Sequence, residues 1–454
     1  MISNVQVSFR NIGFFLIAII FWIVLVMYYN SSLNLHSKLI VMAVIVNVLN
    51  VVLIFQTYKI PIMLIISIFM YNYSYIFTIP AFYPTKISGV GSYNNNELLL
   101  NVLFQVIIGV FALNYLFFVH KPKFMNNRFL GDKLDNFNMK KNTLLRSLGF
   151  LGYMFFISLN NSGQQTNLPF SITFEYIFIF IIVFKIYSEN TLLYKIIVHI
   201  MLLSVCAKTL MYSGRIEVIE ALVLLIIFYY EKKIKSIWII VGSLILNVFM
   251  EYMSIMRNTT GDTTWQTSKI FFNRSNPPIL VLGNEGDVTQ ASMAMVGVLQ
   301  DHLVSSSQRI ESFFHMILSQ FIPLGNFQAF HDSNVARYIQ EFTPTLGGGY
   351  IYSQWYFWGG IFGVVVVVFL INQVIKFAYL TKKTTLVTLA SIYSLVLFTR
   401  WYAYFFDFLI KIPFLLLIIM IIFKLLYPDE RETEPKIKVS PWLKNEKKSS
   451  LNIK

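Results

Sequence analysis

Long apolar runs separated by short polar stretches make up most of the chain. A window of about 20 apolar residues, which as a helix crosses a hydrocarbon core of about 30 Å, selects twelve candidate spans. They are Ile12–Tyr29, Leu39–Gln56, Pro61–Ile79, Leu98–Val119, Ser147–Leu159, Phe170–Tyr187, Ile196–Tyr212, Ile216–Tyr230, Ile237–Met256, Tyr350–Ile375, Leu386–Phe406 and Phe408–Tyr427. The fifth run is short and a tight turn joins the last two, so the pattern predicts eleven to thirteen spans. The predicted fold is an all-α polytopic membrane protein.

One long interruption divides this pattern. It runs from Arg257 to Gly348, spans 92 residues and carries His302, His315 and His331. The chain therefore divides into spans one to nine (1–256), a large loop (257–348), spans ten to twelve (349–427) and a polar tail (428–454).

The large loop carries helical periodicity, which argues against disorder. In Gln308–Phe321 one face is apolar and the other carries Glu311, Ser312 and His315, which predicts a helix lying along the membrane surface. Its apolar positions are Phe313, Phe314, Ile317, Leu318 and Phe321. Ser292–Leu303 repeats the pattern less regularly. Glu311 and His315, four residues apart, are expected to form an exposed pair.

Composition supports the membrane interpretation. Hydrophobic residues make up 56% of the 454 residues, aromatic residues 17% and charged residues only 13%, and the mean hydropathy is +0.63. Water-soluble domains average about a quarter charged residues, so these values exclude a soluble enzyme and a disordered chain. Cys206 is the single cysteine, which excludes an intramolecular disulfide and a cysteine-rich metal site.

The net charge of +14 is explained by topology. If the N-terminus is cytoplasmic, 25 of the 36 Lys and Arg residues fall on the inner side. This is the asymmetry of the positive-inside rule, and it predicts that both termini are cytoplasmic and that the large loop lies outside. The basic surplus then needs no nucleic-acid partner.

Three arginines on the predicted outer side lie on three separate elements. Arg215 follows Ser213 and Gly214 at a turn between spans seven and eight, with Lys208 shortly before it. Arg400 lies roughly 21 Å into span eleven, at about 1.5 Å per residue, which places it in the outer third of the membrane. Arg337 lies in the large loop.

Arginine presents a planar fork of donors that matches a phosphate and stays charged at physiological pH. The three arginines are therefore candidates for binding the diphosphate of a lipid-linked substrate. Nearby aromatic side chains are candidates for stacking on sugars: Trp355, Tyr356, Trp401 and Tyr402. The alternative for Arg215 and Arg400 is a structural ion pair with an acid of another helix: Glu217, Glu251 or Asp407.

These features together resemble the Wzy-type polymerases of bacterial O-antigen and other oligosaccharide repeat units. The shared arrangement is about twelve spans, both ends inside and one large outer loop late in the chain. The more specific similarities are Ser213-Gly214-Arg215 before an apolar helix, and the loop end from Thr343 through Gly347-Gly348-Gly349 into the glycine-rich span that begins at Tyr350.

The resemblance implies a glycosyltransferase of the bacterial inner membrane. Its substrates are a growing glycan on undecaprenyl diphosphate and a second lipid-linked repeat unit, and a chain-length regulator is an expected partner. By this resemblance Arg215 and Arg400 recognise the diphosphate, Arg337 binds it or closes the loop, and His331 or Glu341 acts as the base. Lys208 and the four aromatic residues would bind substrate. The spacing of acids and histidines gives no indication of a metal or other cofactor.

Two other functions fit the same pattern. The ligase that transfers finished O-antigen onto a lipid A core has a similar span count and outer loop. A flippase or secondary transporter is the non-enzymatic alternative, for which internal repeats and helices interrupted near the membrane midplane are typical.

Overall fold

The computed structural model describes residues 9–30, 32–82, 93, 95–137, 141–159, 176–211, 216–258, 284–321, 328–345, 348–381 and 385–427. All regular secondary structure in these ranges is helical, which confirms the all-α prediction. Five of the helices are long and apolar enough to cross a membrane: Leu35–Thr57, Asn96–Asn126, Leu192–Leu210, Ile351–Leu380 and Asp407–Leu426. These helices indicate a membrane-embedded protein, while the count of twelve spans stays a prediction.

Eighteen α-helices are numbered here in chain order within the described ranges. They are α1 (Phe9–Tyr29), α2 (Leu35–Thr57), α3 (Pro61–Tyr75), α4 (Thr78–Phe82), α5 (Asn96–Asn126), α6 (Leu130–Asp135), α7 (Thr143–Ser158), α8 (Tyr176–Tyr187), α9 (Leu192–Met211), α10 (Ile216–Leu225), α11 (Ser236–Asn258), α12 (Asn284–Gln300), α13 (Ser306–Phe321), α14 (Val335–Tyr338), α15 (Ile351–Leu380), α16 (Leu386–Val396), α17 (Phe398–Ala403) and α18 (Asp407–Leu426). A π-helical turn, Ile226–Tyr230, continues α10, and 3-10 turns cover Gln328–Ser333 and Ile339–Glu341.

The bundle has two ends that differ in charge. At the end we call basic, Lys133 donates to the carbonyl oxygens of Tyr379 and Thr381, at 2.7 and 2.9 Å, and the backbone N–H of Gly131 donates to Glu231. The end we call distal holds the first residues of α15 and the last of α17. There the Gly349 N–H donates to the Ala403 carbonyl at 3.0 Å.

The centre of the bundle is built around α5, α15 and α12. Every residue of α12 from 288 to 298 is buried. Its first turn lies beside the middle of α3, where Glu285 and Phe69 line one cleft, and its end lies beside Tyr93, which donates to Asp301 at 2.7 Å. The amphipathic pattern expected over Ser292–Leu303 is matched only in part, because residues 292 to 298 are all buried within the bundle while residues 300 to 303 are exposed.

Two helices near the distal end are interrupted. Gly360 leaves the helical conformation within α15 (φ 59°), and Leu397 separates α16 from α17. The interrupted segments meet through Gln354, whose amide donates to the carbonyls of Gly349 and Tyr404. Its oxygen accepts the N–H of Phe406, at 3.1 Å. These bonds satisfy backbone groups just before α15 and between α17 and α18, as a low-dielectric environment requires.

Candidate functional site

A charged cluster lies between α10 and α17 near the distal end. It consists of Glu217, Glu220, Thr399 and Arg400. Arg400 donates through Nη2 to Glu217, and Thr399 donates to Glu220 at 3.1 Å. The Arg400 and Glu217 side chains are only 16% and 8% exposed. In a buried environment of low dielectric these two charges attract each other more strongly than the charges of a surface pair do. Removal of either side chain would leave the other one buried without its partner.

Local structure explains how these side chains meet. Glu217 lies in the first turn of α10, where the helix dipole favours a carboxylate. Glu220 is three residues later and therefore on the same face of α10. On the other side the break at Leu397 starts a new short helix, which directs Thr399 and Arg400 towards α10. The break in the helix and the start of α10 thus position the cluster together.

A small cleft adjoins the cluster. Its walls come from α3, α10, α11, α12 and α17, and most of the lining is apolar. The lining residues are Ile65, Ile68, Phe69, Asn72, Tyr73, Ile216, Ile219, Ser243, Leu246, Asn247, Glu285 and Phe398. Ile216 and Ile219 lie beside the two cluster acids in α10, and Phe398 precedes Thr399. An apolar cleft bordered by a few polar groups is the usual form of a small-molecule or lipid site.

The structure describes two of the three predicted arginines, Arg337 and Arg400, and they have different surroundings. Arg215 lies outside the described residues, as does the Ser213–Gly214 turn before it. Arg337 is an exposed residue of α14, where the Asn334 side chain caps the helix start. Only Arg400 is found in a buried polar cluster, and of the three acids named as structural partners it contacts Glu217.

The two predicted bases lie together. His331 Nε2 and Glu341 Oε1 are 3.2 Å apart, and the side chains are 48% and 50% exposed. A solvent-exposed pair of this kind contributes at most about 1 kcal/mol to stability. The pair is accessible, as a proton-transfer group on the loop would need to be.

The predicted sugar-binding aromatic residues are largely interior. Trp355, Trp401 and Tyr402 are 6%, 3% and 1% exposed, so stacking on a sugar would require them to be uncovered, and Tyr356 is half-buried. Trp401 Nε1 donates to the Ser394 carbonyl at 2.7 Å. Trp355 Nε1, by contrast, has no acceptor among the described residues.

Lys208 has a structural contact. Its ammonium donates to the carbonyl oxygens of Ile157 and Leu159 at the end of α7. A cation at a helix C-terminus satisfies released carbonyls and interacts favourably with the dipole. The contact ties α9 to α7, and the assignment of Lys208 to substrate binding stays a prediction.

Sequence reasoning missed a second histidine pair in the loop. His315 Nδ1 lies 2.7 Å from Asp332 Oδ1, with the side chains 17% and 11% exposed. Ser312 donates to the Asp332 carbonyl and accepts from Trp358 Nε1. The expected exposed Glu311–His315 pair is therefore wrong. A carboxylate at Nδ1 fixes the imidazole tautomer and directs the Nε2 lone pair away from it, as general bases require.

No protein-family model, no curated protein and no solved structure matches the chain significantly. The resemblance to repeat-unit polymerases therefore stays a prediction that depends on the sequence features alone.

Proposed function

We propose that the protein polymerises undecaprenyl-diphosphate-linked oligosaccharide repeat units at the outer face of the bacterial cytoplasmic membrane. In this proposal the distal end is the outer end and the basic end is cytoplasmic. The supporting observation is the buried charged cluster at the distal end, which borders a small, mostly apolar cleft. Buried ionisable residues at membrane depth are costly to maintain and mark functional sites by default.

The proposed reaction is a glycosyl transfer. A hydroxyl oxygen of the acceptor repeat forms a bond to the anomeric carbon of the donor glycan, and the bond from that carbon to the diphosphate oxygen breaks. The diphosphate leaves with the bonding electron pair, and the acceptor proton passes to a base. The two loop pairs, His331–Glu341 and His315–Asp332, are the candidates for this base.

In this proposal Arg400 exchanges Glu217 for a phosphate oxygen when the donor binds. The exchange keeps the guanidinium charge-paired, and it places a preorganised cation where negative charge develops on the leaving group. Before substrate binds, the ion pair with Glu217 keeps the Arg400 side chain in position.

The interrupted helices favour a second candidate, a flippase or transporter of the lipid-linked glycan. The breaks at Gly360 and Leu397 lie within helices that cross the bundle, and discontinuous helices are typical of transporter sites. The charged cluster favours the polymerase, because it lies near one end of the bundle rather than at its middle.

A gel of surface polysaccharide separates the candidates. A deletion strain is complemented with the wild type, with Arg400→Gln, or with the control Arg146→Gln, which changes an arginine packed on the Tyr194 ring away from the cluster. Membrane levels of each variant are checked by immunoblot. The polymerase predicts a ladder for the wild type and the control, and a single-repeat band for the deletion and Arg400→Gln. Unattached long polymer in the deletion would indicate a ligase, and absence of any repeat at the surface would indicate a transporter.

A further inference from the structure

The helix α13 presents an unusual distribution of side chains. Three apolar residues on one side of this helix face away from the protein: Ile310, Phe314 and Phe321 are each 58% exposed. Its polar residues Ser312 and Ser319 are buried against the rest of the chain. This is the reverse of a helix that packs on a soluble core, where the apolar face is covered and the polar face meets water.

The contacts of α13 place it below the distal end of the bundle. Arg309 donates to the carbonyl oxygens of Phe357 and Trp358, at 2.6 and 3.2 Å. Phe357 is six residues into α15, or roughly 9 Å along a helix with a rise of about 1.5 Å per residue. At its other end, Phe321 contacts the ring of Phe414 on α18, with 5.1 Å between the centroids.

The carbonyls that Arg309 binds are those released by the break at Gly360. Water would solvate such carbonyls in an aqueous loop, whereas in hydrocarbon each needs a protein donor. Arg309 of α13 supplies these donors, as expected if the break in α15 lies at membrane depth. The exposed apolar face of α13 also continues onto α15, where Phe362 and Phe369 are 75% and 58% exposed.

We propose that α13 is an in-plane membrane helix embedded in the leaflet on the distal side, with its apolar face in contact with lipid acyl chains. The helix has three sectors. Ser312 and Met316 face the protein, Phe314 and Phe321 face lipid, and Glu311 faces the aqueous side. The segment that the sequence predicts to lie along the membrane surface is thus embedded more deeply, as a membrane element that covers the break in α15.

Site-directed spin labelling tests this inference without reference to catalysis, so its failure is distinguishable from failure of the proposed function. Cys206, the only cysteine, is replaced by Ser, and single cysteines are introduced by Phe314→Cys, Phe321→Cys and the control Glu311→Cys. Each protein is labelled with a nitroxide in lipid nanodiscs that hold one copy. Collision rates are then measured with oxygen, which concentrates in lipid, and with a water-soluble nickel chelate.

The expected result is a ratio of oxygen to nickel collisions that is several-fold higher at 314 and 321 than at 311. A ratio at 314 and 321 equal to that at 311 would overturn the inference, since the face would then meet water. Low collision rates with both reagents would also overturn it, because another part of the protein would cover the face. A variant that fails to fold is replaced by Ile317→Cys, which probes the same sector. Dipolar broadening at 314 in proteoliposomes that disappears in single-copy nanodiscs would identify a second copy as the occupant instead.

Discussion

At the distal end the guanidinium of Arg400 meets the carboxylate of Glu217, 183 positions earlier in the chain, whereas at the basic end buried charges are held by backbone groups. Lys133 donates to the carbonyl oxygens of Tyr379 and Thr381 at the end of α15. Glu231 accepts the N–H of Gly131 at 2.8 Å. Both ends of the bundle provide partners for ionisable side chains. They differ in whether a ligand could take the place of that partner.

A backbone group cannot leave its position without local unfolding, so the contacts of the basic end hold α6, α10 and α15 together. A carboxylate side chain can be displaced by a ligand of the same charge. The distal pair is therefore suited to exchange with an anionic substrate, and the basic end is suited to structural support. Substitutions at the two ends should separate these roles.

The largest effect is expected from Arg400→Gln, which leaves Glu217 buried without its cationic partner. Removing one member of a buried ion pair costs about 3–5 kcal/mol, so the melting temperature in detergent should fall markedly. The exposed pair of Lys232 and Asp132 at the basic end provides the control, because Lys232→Gln there should change the melting temperature little. Equal falls in the melting temperature of the two variants would mean that the Arg400–Glu217 pair stabilises the protein no more than a surface ion pair does.

The next effect concerns pH at the basic end. Burial raises the pKa of Glu231 from 4.5 to about 7, against the opposing backbone hydrogen bonds. Because the folded-state pKa is the higher one, the stability associated with the protonated group is complete below pH 4.5 and is lost as the pH rises through 7. The loss is about 3 kcal/mol.

Glu231→Gln should abolish this dependence. The melting temperature of the wild type should fall relative to the variant between about pH 4.5 and 7. Burial lowers the pKa of the neighbouring Lys133 to about 8, so this lysine titrates above the window in both states. Parallel curves for the two proteins would show that Glu231 is ionised in the folded protein throughout.

A smaller effect is expected from Gly348→Ala at the distal crossing of the interrupted helices. Gly348 has a φ of +77°, and an added Cβ would lie 2.9 Å from the Ala403 carbonyl oxygen. The left-handed conformation alone costs an L-residue about 1–2 kcal/mol. Gly359→Ala is the matched control, because a Cβ there meets nothing within 4 Å. Thermal unfolding of the two variants should differ by at least the conformational cost, and similar melting temperatures would argue against a tight crossing.

The smallest effect separates the two histidine pairs of the loop. His331→Gln removes a half-exposed pair and should change stability by less than about 1 kcal/mol. His315→Gln removes a better buried bond to Asp332 and should cost about 1–3 kcal/mol. Chemical denaturation of both variants measures the two changes in the free energy of unfolding. A larger loss for His331→Gln than for His315→Gln would show that the His331–Glu341 pair is the better packed one.

The sequence predicted the helices well because hydrophobicity is a property of local runs. Leu386–Phe406 is apolar enough overall to be predicted as one span, however, and its polar residues do not indicate a break at Leu397. The burial of α12 was missed for a related reason. Thr289, Gln290 and Ser292 lower its hydrophobicity, and burial on all sides from 288 to 298 leaves only a weak amphipathic pattern in the sequence.

The candidate site was predictable only in part. The depth of Arg400 follows from counting residues along a helix, but its choice of Glu217 over Asp407 depends on how α10 and α17 pack. His315 and Asp332 are 17 positions apart and on different elements, so no periodicity links them. Such partners are brought together by the packing of elements that are distant in the chain, and this packing cannot be deduced from a single sequence.

The double variant Glu217→Gln/Arg400→Gln tests the central claim, that Arg400 exchanges its carboxylate partner for an anionic ligand. Removing both charges eliminates the unpaired buried charge, so the melting temperature should recover relative to either single variant. Polymer made from a purified undecaprenyl-diphosphate-linked repeat by the protein in proteoliposomes is measured on the same samples. We predict that thermal stability recovers and that polymer formation stays absent. Recovery of polymer together with stability would contradict the claim and leave the pair a purely structural contact.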